Sequence, residues 1–401
     1  MTIVAKMKKT TDDMNGWDAQ LFRTLAAERG TPLFVYSRAM LEERAKKLLS
    51  FHMPCEFTPR YAMKANNHPE VIRLFHELGL HFDASSSYEA FDLLDAGVPG
   101  EKISLSSQQP AHRLKELLAR GVQYVATSLH QLQLFLETNG RPNTVGLRVN
   151  PGLGAGHNNR LTTGGANSSF GLWNAYVPQA LALAAAQNVA IDRLHVHIGS
   201  GADPNMWGKM MSTALDIVEN MPDVVSVDMG GGYKIHRFGD EQEADMAVIA
   251  GAFAQQRNDF AAKTGREISL EIEPGNWLVG HAGVLLAEIV DVVDTGKDGH
   301  AFLRLNTGMN DIARPGMYGA QHRLEVLNDA TESAEYIVVG HNCETGDIFT
   351  PAPGDPEGLA SRTLKRANIG DVMAIYDVGA YCRSMSHKGY NSFPNAAEII
   401  I

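Results

Sequence analysis

One lysine lies where lysine is seldom found. Lys64 is part of the apolar run RYAMKAN (60–66), which we predict to be a strand. Lysine is rarely buried without a task, and a desolvated amine at the end of a strand can form a Schiff base with a carbonyl compound. The alternative is an exposed lysine on a loop. The residue is therefore a candidate nucleophile.

Three consecutive glycines follow another apolar run. Gly230, Gly231 and Gly232 come directly after VVSVDM (224–229). Glycines at this position allow backbone N–H groups to approach a phosphate closely, and a simple tight turn needs fewer of them. The stretch GLGAGH (152–157) lacks the third glycine of a dinucleotide-binding loop, so we do not assign that function to it.

Two histidines alternate on one predicted strand. His195 and His197 in LHVHIGS (194–200) would point to the same face. Such a pair could bind a metal ion, as in a barrel metallohydrolase. Alternatively, one ring could stack on a flat cofactor while the other packs in the core. No matching set of Asp, Glu and His is evident on other strands, which favours the second interpretation.

Further candidates follow in the second half of the chain. Glu273 ends the run LEIEPG, although most glutamates are simply solvated. Cys343 and Glu344 lie in HNCETGDIF, which could equally be a turn with a packed thiol. Arg314 and Tyr318 in ARPGMYGAQH could clamp an anion, although an arginine in an ordinary surface ion pair contributes little.

The elements that would position these residues are predicted strands and helices in regular alternation. Eight short apolar runs end in polar residues, and amphipathic stretches such as PEVIRLFHELG (69–79) lie between most of them. The runs are RYAMKAN (60–66), HFDASS (81–86), ISLSS (103–107), YVATS (124–128), VGLRVNP (145–151), LHVHIGS (194–200), VVSVDMGGG (224–232) and ISLEIEPG (268–275). Alternating strands and helices predict parallel strands with crossover helices. Eight units favour a closed (β/α)8 TIM-type barrel with its active site at the carboxyl ends of the strands; an open doubly wound sheet is the alternative.

The alternation of predicted strands and helices ends after residue 275. Runs such as AEYIVVGHN (334–342) and DVMAIYDVGAY (371–381) alternate with turns rich in Gly and Pro, which predicts a C-terminal antiparallel β-domain. The early run PLFVYS (32–37) could join it. We therefore expect a barrel over 38–280 and a β-domain over 281–401 that includes 1–37.

Composition excludes several classes of protein. Of the 401 residues 44% are apolar and 20% charged, with a mean hydropathy of −0.17, which excludes a disordered or membrane-embedded chain. A net charge of −11 without a basic block argues against nucleic-acid partners. Three widely spaced cysteines cannot form a disulfide framework. The start MTIVAKMKKTTDD has no apolar core of a secretory signal, so we expect a soluble, cytoplasmic protein.

The motifs together, in this order, resemble the fold type III pyridoxal-phosphate-dependent decarboxylases, and most of all the diaminopimelate decarboxylases among them. They are YAMKAN (61–66), FDASS (82–86), HIGS (197–200), GGG (230–232), EPG (273–275), RPGMYGAQH (314–322), CETGD (343–347) and GAYCRSMSHKGYNSFP (379–394). The resemblance implies an alanine racemase-like barrel with a C-terminal β-domain, and the cofactor pyridoxal 5′-phosphate.

The resemblance also implies a role for each residue. Lys64 would carry the cofactor as a Schiff base, with Asp83 near it, His197 stacked on the pyridine ring and Arg148 beside the ring hydroxyl. The phosphate would be held by Ser200, Gly230, Gly231, Gly232, Gly275 and Tyr381. Glu273 would pair with the ring nitrogen, and Arg314 and Tyr318 would bind the distal carboxylate of the substrate. Cys343, the proton donor, and Glu344 would enter the active site of the partner subunit in a homodimer.

Glu273 bears on the type of reaction. A carboxylate keeps the ring nitrogen protonated, which makes the cofactor a strong electron sink. This favours decarboxylation over racemisation, and meso-diaminopimelate as the substrate, giving L-lysine. The chain departs from the diaminopimelate pattern at Asn276, Ser169 and Phe393, where basic residues are usual. Lysine, ornithine, or a carboxylated polyamine or siderophore precursor are therefore alternative substrates. A non-catalytic, cofactor-binding protein is disfavoured because Lys64, Glu273 and Cys343 are all present.

Overall fold

The computed structural model describes residues 17–51, 53, 55–153, 164–197, 199–238 and 241–401. The N-terminal segment considered above as a secretory signal lies outside these residues, as does most of GLGAGH. The chain divides into two compact units. One is Leu41–Val279, and the other joins the residues up to Met40 with Gly280–Ile401. We call them the barrel unit and the β-unit.

The helices and strands follow one another along the chain. The helices are α1 (Ala19–Arg29), α2 (Arg38–Leu49), α3 (Pro69–Glu77), α4 (Ser87–Asp95), α5 (Leu114–Ala119), α6 (Leu129–Glu137), α7 (Val177–Ala185), α8 (Pro204–Val218), α9 (Met246–Thr264), α10 (Asn276–Val279) and α11 (Arg314–Tyr318). The strands are β1 (Leu33–Tyr36), β2 (Phe57–Ala62), β3 (His81–Ala84), β4 (Ile103–Ser106), β5 (Gln123–Ala126), β6 (Thr144–Asn150), β7 (Leu172–Trp173), β8 (Ala190–His195), β9 (Ser226–Asp228), β10 (Ser269–Ile272), β11 (Gly283–Asp294), β12 (Ala301–Leu305), β13 (Leu324–Val326), β14 (Ser333–Val339), β15 (Pro351–Ala352), β16 (Asp355–Leu359), β17 (Arg362–Lys365), β18 (Val372–Tyr376) and β19 (Ala397–Ile400). Within the described ranges, no helix combines the length and the apolar character needed to cross a membrane.

Eight parallel strands close the barrel unit into a ring. Their order is β5-β4-β3-β2-β10-β9-β8-β6, and pairing of β5 with β6 completes the circle. The closed barrel predicted from the eight runs is confirmed, and the open-sheet alternative is wrong. Each predicted run overlaps one barrel strand, although the bounds differ by several residues for some of them, as for β8 (Ala190–His195) against the run 194–200.

Polar residues at the strand ends also start the helices that follow. The Ser86 hydroxyl accepts a hydrogen bond from the Glu89 N–H at the start of α4, and Ser128 caps α6 in the same way. Side-chain oxygens at these positions satisfy N–H groups that have no partner within the helix. The turn from each strand into its helix is therefore encoded locally.

The β-unit is built on a mostly antiparallel sheet. Its order is β13-β18-β11-β12-β14-β17, and β1 pairs antiparallel with β11. The run PLFVYS thus contributes a strand to this sheet. Two pairings, β12 with β14 and β1 with β19, are parallel, which the sequence pattern did not predict. Apolar side chains such as Phe34, Leu285, Val338 and Ile375 form its core.

A buried ion cluster stabilises the β-unit next to the end of β18. Asp377 adopts the left-handed conformation with φ 58°. Its carboxylate accepts hydrogen bonds from His281 Nδ1 at 2.6 Å and Arg323 Nε at 2.9 Å. Burial by itself would raise the pKa of Asp377, but these two donors outweigh burial and lower the pKa to about 2.

We expect the Asp377→Asn variant to be less stable than the wild type near neutral pH, and this difference to shrink in acid. Because the native-state pKa is lowered, ionised Asp377 stabilises the fold above pH 4, and this contribution disappears as the pH falls through 2. The difference in free energy of unfolding between wild type and variant should narrow by about 2 kcal/mol between pH 5 and pH 2. Urea denaturation at a series of pH values measures it.

Asp291→Asn is the matched control. Asp291 pairs with Arg304 at 3.0 Å, but both side chains are more than 40% exposed. Exposed pairs contribute between about 0 and 1 kcal/mol, so this variant should follow the wild type at every pH. An equal response of the two variants would contradict the assignment to Asp377.

Candidate active site

Lys64 lies just beyond the strand in which it was predicted. Strand β2 ends at Ala62, and Lys64 is in the short 3₁₀ turn Met63–Ala65 that follows. Its side chain is 42% exposed, so the expected burial is wrong. The carboxyl end of a barrel strand is nevertheless where barrel active sites form. The amine donates hydrogen bonds to Asp83 Oδ2 at 3.1 Å and Ser85 Oγ at 2.9 Å.

Asp83 approaches Lys64 because their strands are neighbours. In the parallel pairing of β2 with β3, Ala62 lies opposite Asp83. Asp83 is 1% exposed, and its Oδ1 has no hydrogen-bond partner among the described residues. The carboxylate is thus held beside the amine with one oxygen available to another group.

Glu273 is buried just past the end of β10. One oxygen, Oε1, is without a hydrogen-bond partner in the part of the chain that the structure describes, and the other lies 3.5 Å from His195 Nε2. Burial, together with the nearby carboxylates Asp228 and Asp83, raises the pKa of Glu273 well above its ordinary value. A buried carboxyl with an unused oxygen is suited to a ligand that carries a basic nitrogen.

The two histidines have different surroundings. His197 Nδ1 accepts a hydrogen bond from the Gly231 N–H at 3.2 Å, so its proton lies on Nε2. His195 is 1% exposed in the barrel interior. Burial, and then the positive charge of Arg148, lower the pKa of both rings well below the ordinary value, so both are neutral.

The metal-binding alternative predicted His195 and His197 as joint ligands, but the structure groups His195 with two carboxylates instead. His195 offers a ring nitrogen within 4.8 Å of carboxylate oxygens of Asp228 and Glu273, whereas His197 does not belong to this group. The H-x-H pair therefore does not act as two ligands of one cluster among the residues described.

The glycine turn requires residues without a side chain. Gly230 and Gly232 have φ values of 68° and 104°. A Cβ on Gly231 would lie 2.3 Å from the Glu273 carbonyl oxygen, and one on Gly232 would lie 1.8 Å from that of Gly199. The turn thus brings the backbone close to its neighbours, as an anion-binding turn requires.

The remaining barrel residues of the predicted site also lie near strand ends. Arg148 on β6 is half-buried, with its guanidinium 5.1 Å from the Phe170 ring. Ser200 follows β8 and lies beside Gly232. The Gly275 carbonyl accepts the Leu278 N–H in the first turn of α10. The barrel unit therefore contains ten of the predicted residues, all at the carboxyl side of its strands: Lys64, Asp83, Arg148, His197, Ser200, Gly230, Gly231, Gly232, Glu273 and Gly275.

The other predicted residues belong to the β-unit. Arg314 and Tyr318 are the two ends of α11, and the Arg314 guanidinium lies 5.9 Å from the Tyr381 ring. Arg314 Nε is buried without a hydrogen-bond partner among the described residues. Cys343 and Glu344 are exposed, which disagrees with a packed thiol.

Asp347 is a β-unit residue whose role the sequence motifs did not indicate. Its two oxygens accept hydrogen bonds from the Met309 N–H at 2.7 Å and the Asn342 N–H at 2.8 Å. This buried carboxylate therefore joins the Cys343 loop to the segment that leads to Arg314. Only the close packing of the glycines at 308 and 340 against it, which requires the structure, reveals this function.

Comparison with known proteins gives a consistent result. Residues 38–280 match the family model described as "Pyridoxal-dependent decarboxylase, pyridoxal binding domain". Diaminopimelate decarboxylase of Streptomyces coelicolor is 33% identical over 403 residues, which cover 96% of this chain and 87% of the relative.

Solved structures agree over both units. A crystal structure of diaminopimelate decarboxylase superposes with a TM-score of 0.88 at 30% identity, covering 98% of this chain and 93% of the other. The diaminopimelate decarboxylase of M. jannaschii in complex with L-lysine gives a TM-score of 0.83 at 27% identity, with 98% and 92% covered.

We expect Gly232→Ala to weaken the binding of pyridoxal 5′-phosphate. The added methyl group would collide with the Gly199 carbonyl at a φ that alanine rarely adopts. Strain of this kind costs about 1–3 kcal/mol, which corresponds to an affinity loss of about 5- to 150-fold if it falls on the bound state. Titration of the cofactor-free protein, followed by absorbance, measures the loss.

Gly251→Ala provides the control. Gly251 lies in α9 with no atom within 4 Å of the added Cβ, and alanine favours a helix over glycine. This variant should keep wild-type affinity and gain slight thermal stability. If Gly232→Ala also binds the cofactor like the wild type, the turn does not hold it.

Proposed function

The chain belongs to the pyridoxal-dependent decarboxylases, and on this basis we propose that it converts meso-diaminopimelate into L-lysine and CO2. It is a carboxy-lyase that uses pyridoxal 5′-phosphate, as the resemblance of its motifs predicted. The observation that carries the proposal is the buried Glu273, at the carboxyl ends of the same barrel strands as Lys64 and Asp83, with one oxygen that has no hydrogen-bond partner among the described residues.

The residues of the barrel unit fit this cofactor. A primary amine is required for its aldehyde, and Lys64 offers one at the end of β2. A carboxyl is required for its ring nitrogen, and Glu273 has an oxygen without a partner among the described residues. The turn Gly230–Gly232 offers a backbone that side chains do not cover, which suits a phosphate.

The proposed assignment of residues to cofactor groups follows from this fit. Lys64 would bind the cofactor covalently, with Asp83 orienting the lysine amine. The neutral His197 ring, fixed by the Gly231 N–H, would hold the pyridine ring, and Arg148 would contact the ring hydroxyl. The residues that would hold the phosphate are Ser200, Gly230, Gly231, Gly232, Gly275 and Tyr381.

Glu273 decides which reaction is favoured. The chemistry that pyridoxal 5′-phosphate would supply here is an electron sink for the pair left on the substrate carbon when CO2 departs. This requires a positively charged ring nitrogen. Glu273 meets the requirement because a carboxylate next to a base stabilises the protonated form of that base. The carbon that loses CO2 then needs a proton, and we assign its delivery to the exposed thiol of Cys343.

Arg314 supports the choice of substrate. Its buried Nε has no partner among the described residues, and a guanidinium binds a carboxylate through paired hydrogen bonds. We infer that Arg314 and Tyr318 bind the distal carboxylate of meso-diaminopimelate, with Glu344 near its amino group. Lysine and ornithine lack that carboxylate and would leave Arg314 without its anion.

We propose in addition that the enzyme acts as a homodimer. In this arrangement Cys343 and Glu344 of each subunit serve the barrel of the partner. The exposure of both side chains supports this, because residues that reach a partner must project from their own chain.

A CO2-release assay with a panel of amino acids tests the substrate. We expect turnover of meso-diaminopimelate and none of L-lysine or L-ornithine. Arg314→Gln should lower kcat/KM for meso-diaminopimelate by about 10- to 100-fold, the effect of losing a hydrogen-bonded charge. Arg304→Gln, which removes an exposed pair on β12, is the control and should stay near wild type. Preference for ornithine would contradict the proposal.

Mixed dimers test the shared site. Lys64→Ala and Cys343→Ala homodimers should both be nearly inactive. After subunit exchange, about half of the dimers contain one chain of each kind, and one of their two sites is intact, so activity should recover to roughly one quarter of wild type. No recovery, with exchange confirmed by mass spectrometry of tagged chains, would assign Cys343 to its own subunit.

A further inference from the structure

Buried charged side chains lie on three neighbouring barrel strands, each two residues before a residue at or near the site. We call them, together with Arg60, the layer. Glu271 precedes Glu273 by two residues, Asp228 precedes Gly230 by two, and Arg193 precedes His195 by two. Residues two apart on a strand face the same side of the sheet. With Arg60 these residues form two positive and two negative side chains, each between 0% and 7% exposed.

Arg193 is the centre of this layer. Its Nη2 donates to Asp228 Oδ2 at 2.5 Å and lies 2.7 Å from Glu271 Oε2, and its Nη1 donates to Ser104 Oγ at 2.8 Å. Arg60 Nε pairs with the same oxygen of Glu271, Oε2. Every charge in the layer therefore has an opposite charge in contact with it.

Asp228 connects the layer to the glycine turn. Its second oxygen, Oδ1, accepts the Gly230 N–H at 2.9 Å. The Gly230 carbonyl in turn accepts the Glu273 N–H at 2.8 Å. The Glu271 side chain makes no such link within the described part of the chain, since its second oxygen accepts the Ser226 hydroxyl. Of the two acids in the layer, Asp228 is thus the one bonded to the turn.

We propose that Arg193 and Asp228 are a positioning pair that sets the glycine turn for the phosphate of the cofactor. Arg193 holds the Asp228 carboxylate in one orientation, and that orientation directs Oδ1 to the Gly230 N–H. The proposal rests on the phosphate-holding role given above to Gly230–Gly232. Neither residue touches the reacting atoms, so their effect passes through the turn.

The energetics explain why the pair matters. Among the described residues Arg193 is the cation paired with Asp228, so its removal would leave a buried charge without a counterion, which is strongly unfavourable. The carboxylate would then no longer be held in its present orientation. The Gly230 N–H would lose its acceptor, and a turn with two positive φ values would lose its anchor.

The test compares the phosphorylated and unphosphorylated forms of the cofactor. Purified cofactor-free protein is titrated with pyridoxal 5′-phosphate and with pyridoxal, and the ratio of the two dissociation constants measures the contribution of the phosphate. We expect Arg193→Gln and Asp228→Asn to reduce that ratio by about tenfold or more, the effect of one hydrogen bond to a charged group. Arg193→Lys, which keeps the charge, should recover part of it.

Arg60→Gln is the matched control. It removes a buried arginine of the same layer that contacts Glu271 and not Asp228, so it should lower stability while leaving the ratio within about twofold of wild type. An unchanged ratio in the Arg193 and Asp228 variants, or an equal change in Arg60→Gln, would overturn the proposal. Should Arg193→Gln fail to fold by circular dichroism, Asp228→Asn and Arg193→Lys decide the question. The two dissociation constants are measured without substrate, so the ratio does not depend on which amino acid the enzyme uses. An error in the diaminopimelate assignment would appear in the CO2-release assay instead.

Discussion

A charged side chain inside a closed barrel is tolerated only when its charge is paired. The interior of such barrels is normally filled by branched apolar residues, yet here Arg60, Arg193, Asp228 and Glu271 occupy it. They coexist because two cations and two anions alternate in contact, so that the cost of removing each from water is offset by its neighbours. The arrangement is bonded to the glycine turn of the site through Asp228.

Because of this pairing, two carboxyl groups close together in the sequence have pKa values shifted in opposite directions. On β10, Glu271 is held between two arginines, and these lower its pKa despite its burial. Just beyond the end of that strand, burial and then the nearby carboxylates Asp228 and Asp83 raise the pKa of Glu273. Two glutamates separated by one residue thus have pKa values shifted in opposite directions, which agrees with the proposed use of Glu273 as a partner for a basic ligand. A chain that needs a carboxyl in each state can obtain both from a single strand and its end.

Loops of the β-unit also contain buried carboxylates whose oxygens are satisfied by N–H donors. Asp347 and Asp377 are each buried at a point where two distant segments meet, and each accepts several N–H donors. Asp377 lies four residues before Tyr381, and Asp347 lies four residues after Cys343. Buried carboxylates therefore fix the backbone a few residues from the half-buried Tyr381 and from the exposed Cys343. Packing alone could not do this in short loops with few apolar residues.

The amino-acid sequence by itself determined the eight strands, the closed barrel and the identity of the residues at the strand ends. These features depend on local patterns: apolar runs, capping serines and glycines at turns. It misjudged Lys64, since the end of a strand depends on which neighbour it pairs with, and it did not predict the parallel pairings β12–β14 and β1–β19. The partners of Arg193, Asp228 and Asp347 were decided only by the tertiary structure. Residues as far apart as 60 and 271 meet because strand order and register bring them together, and no local pattern carries that information.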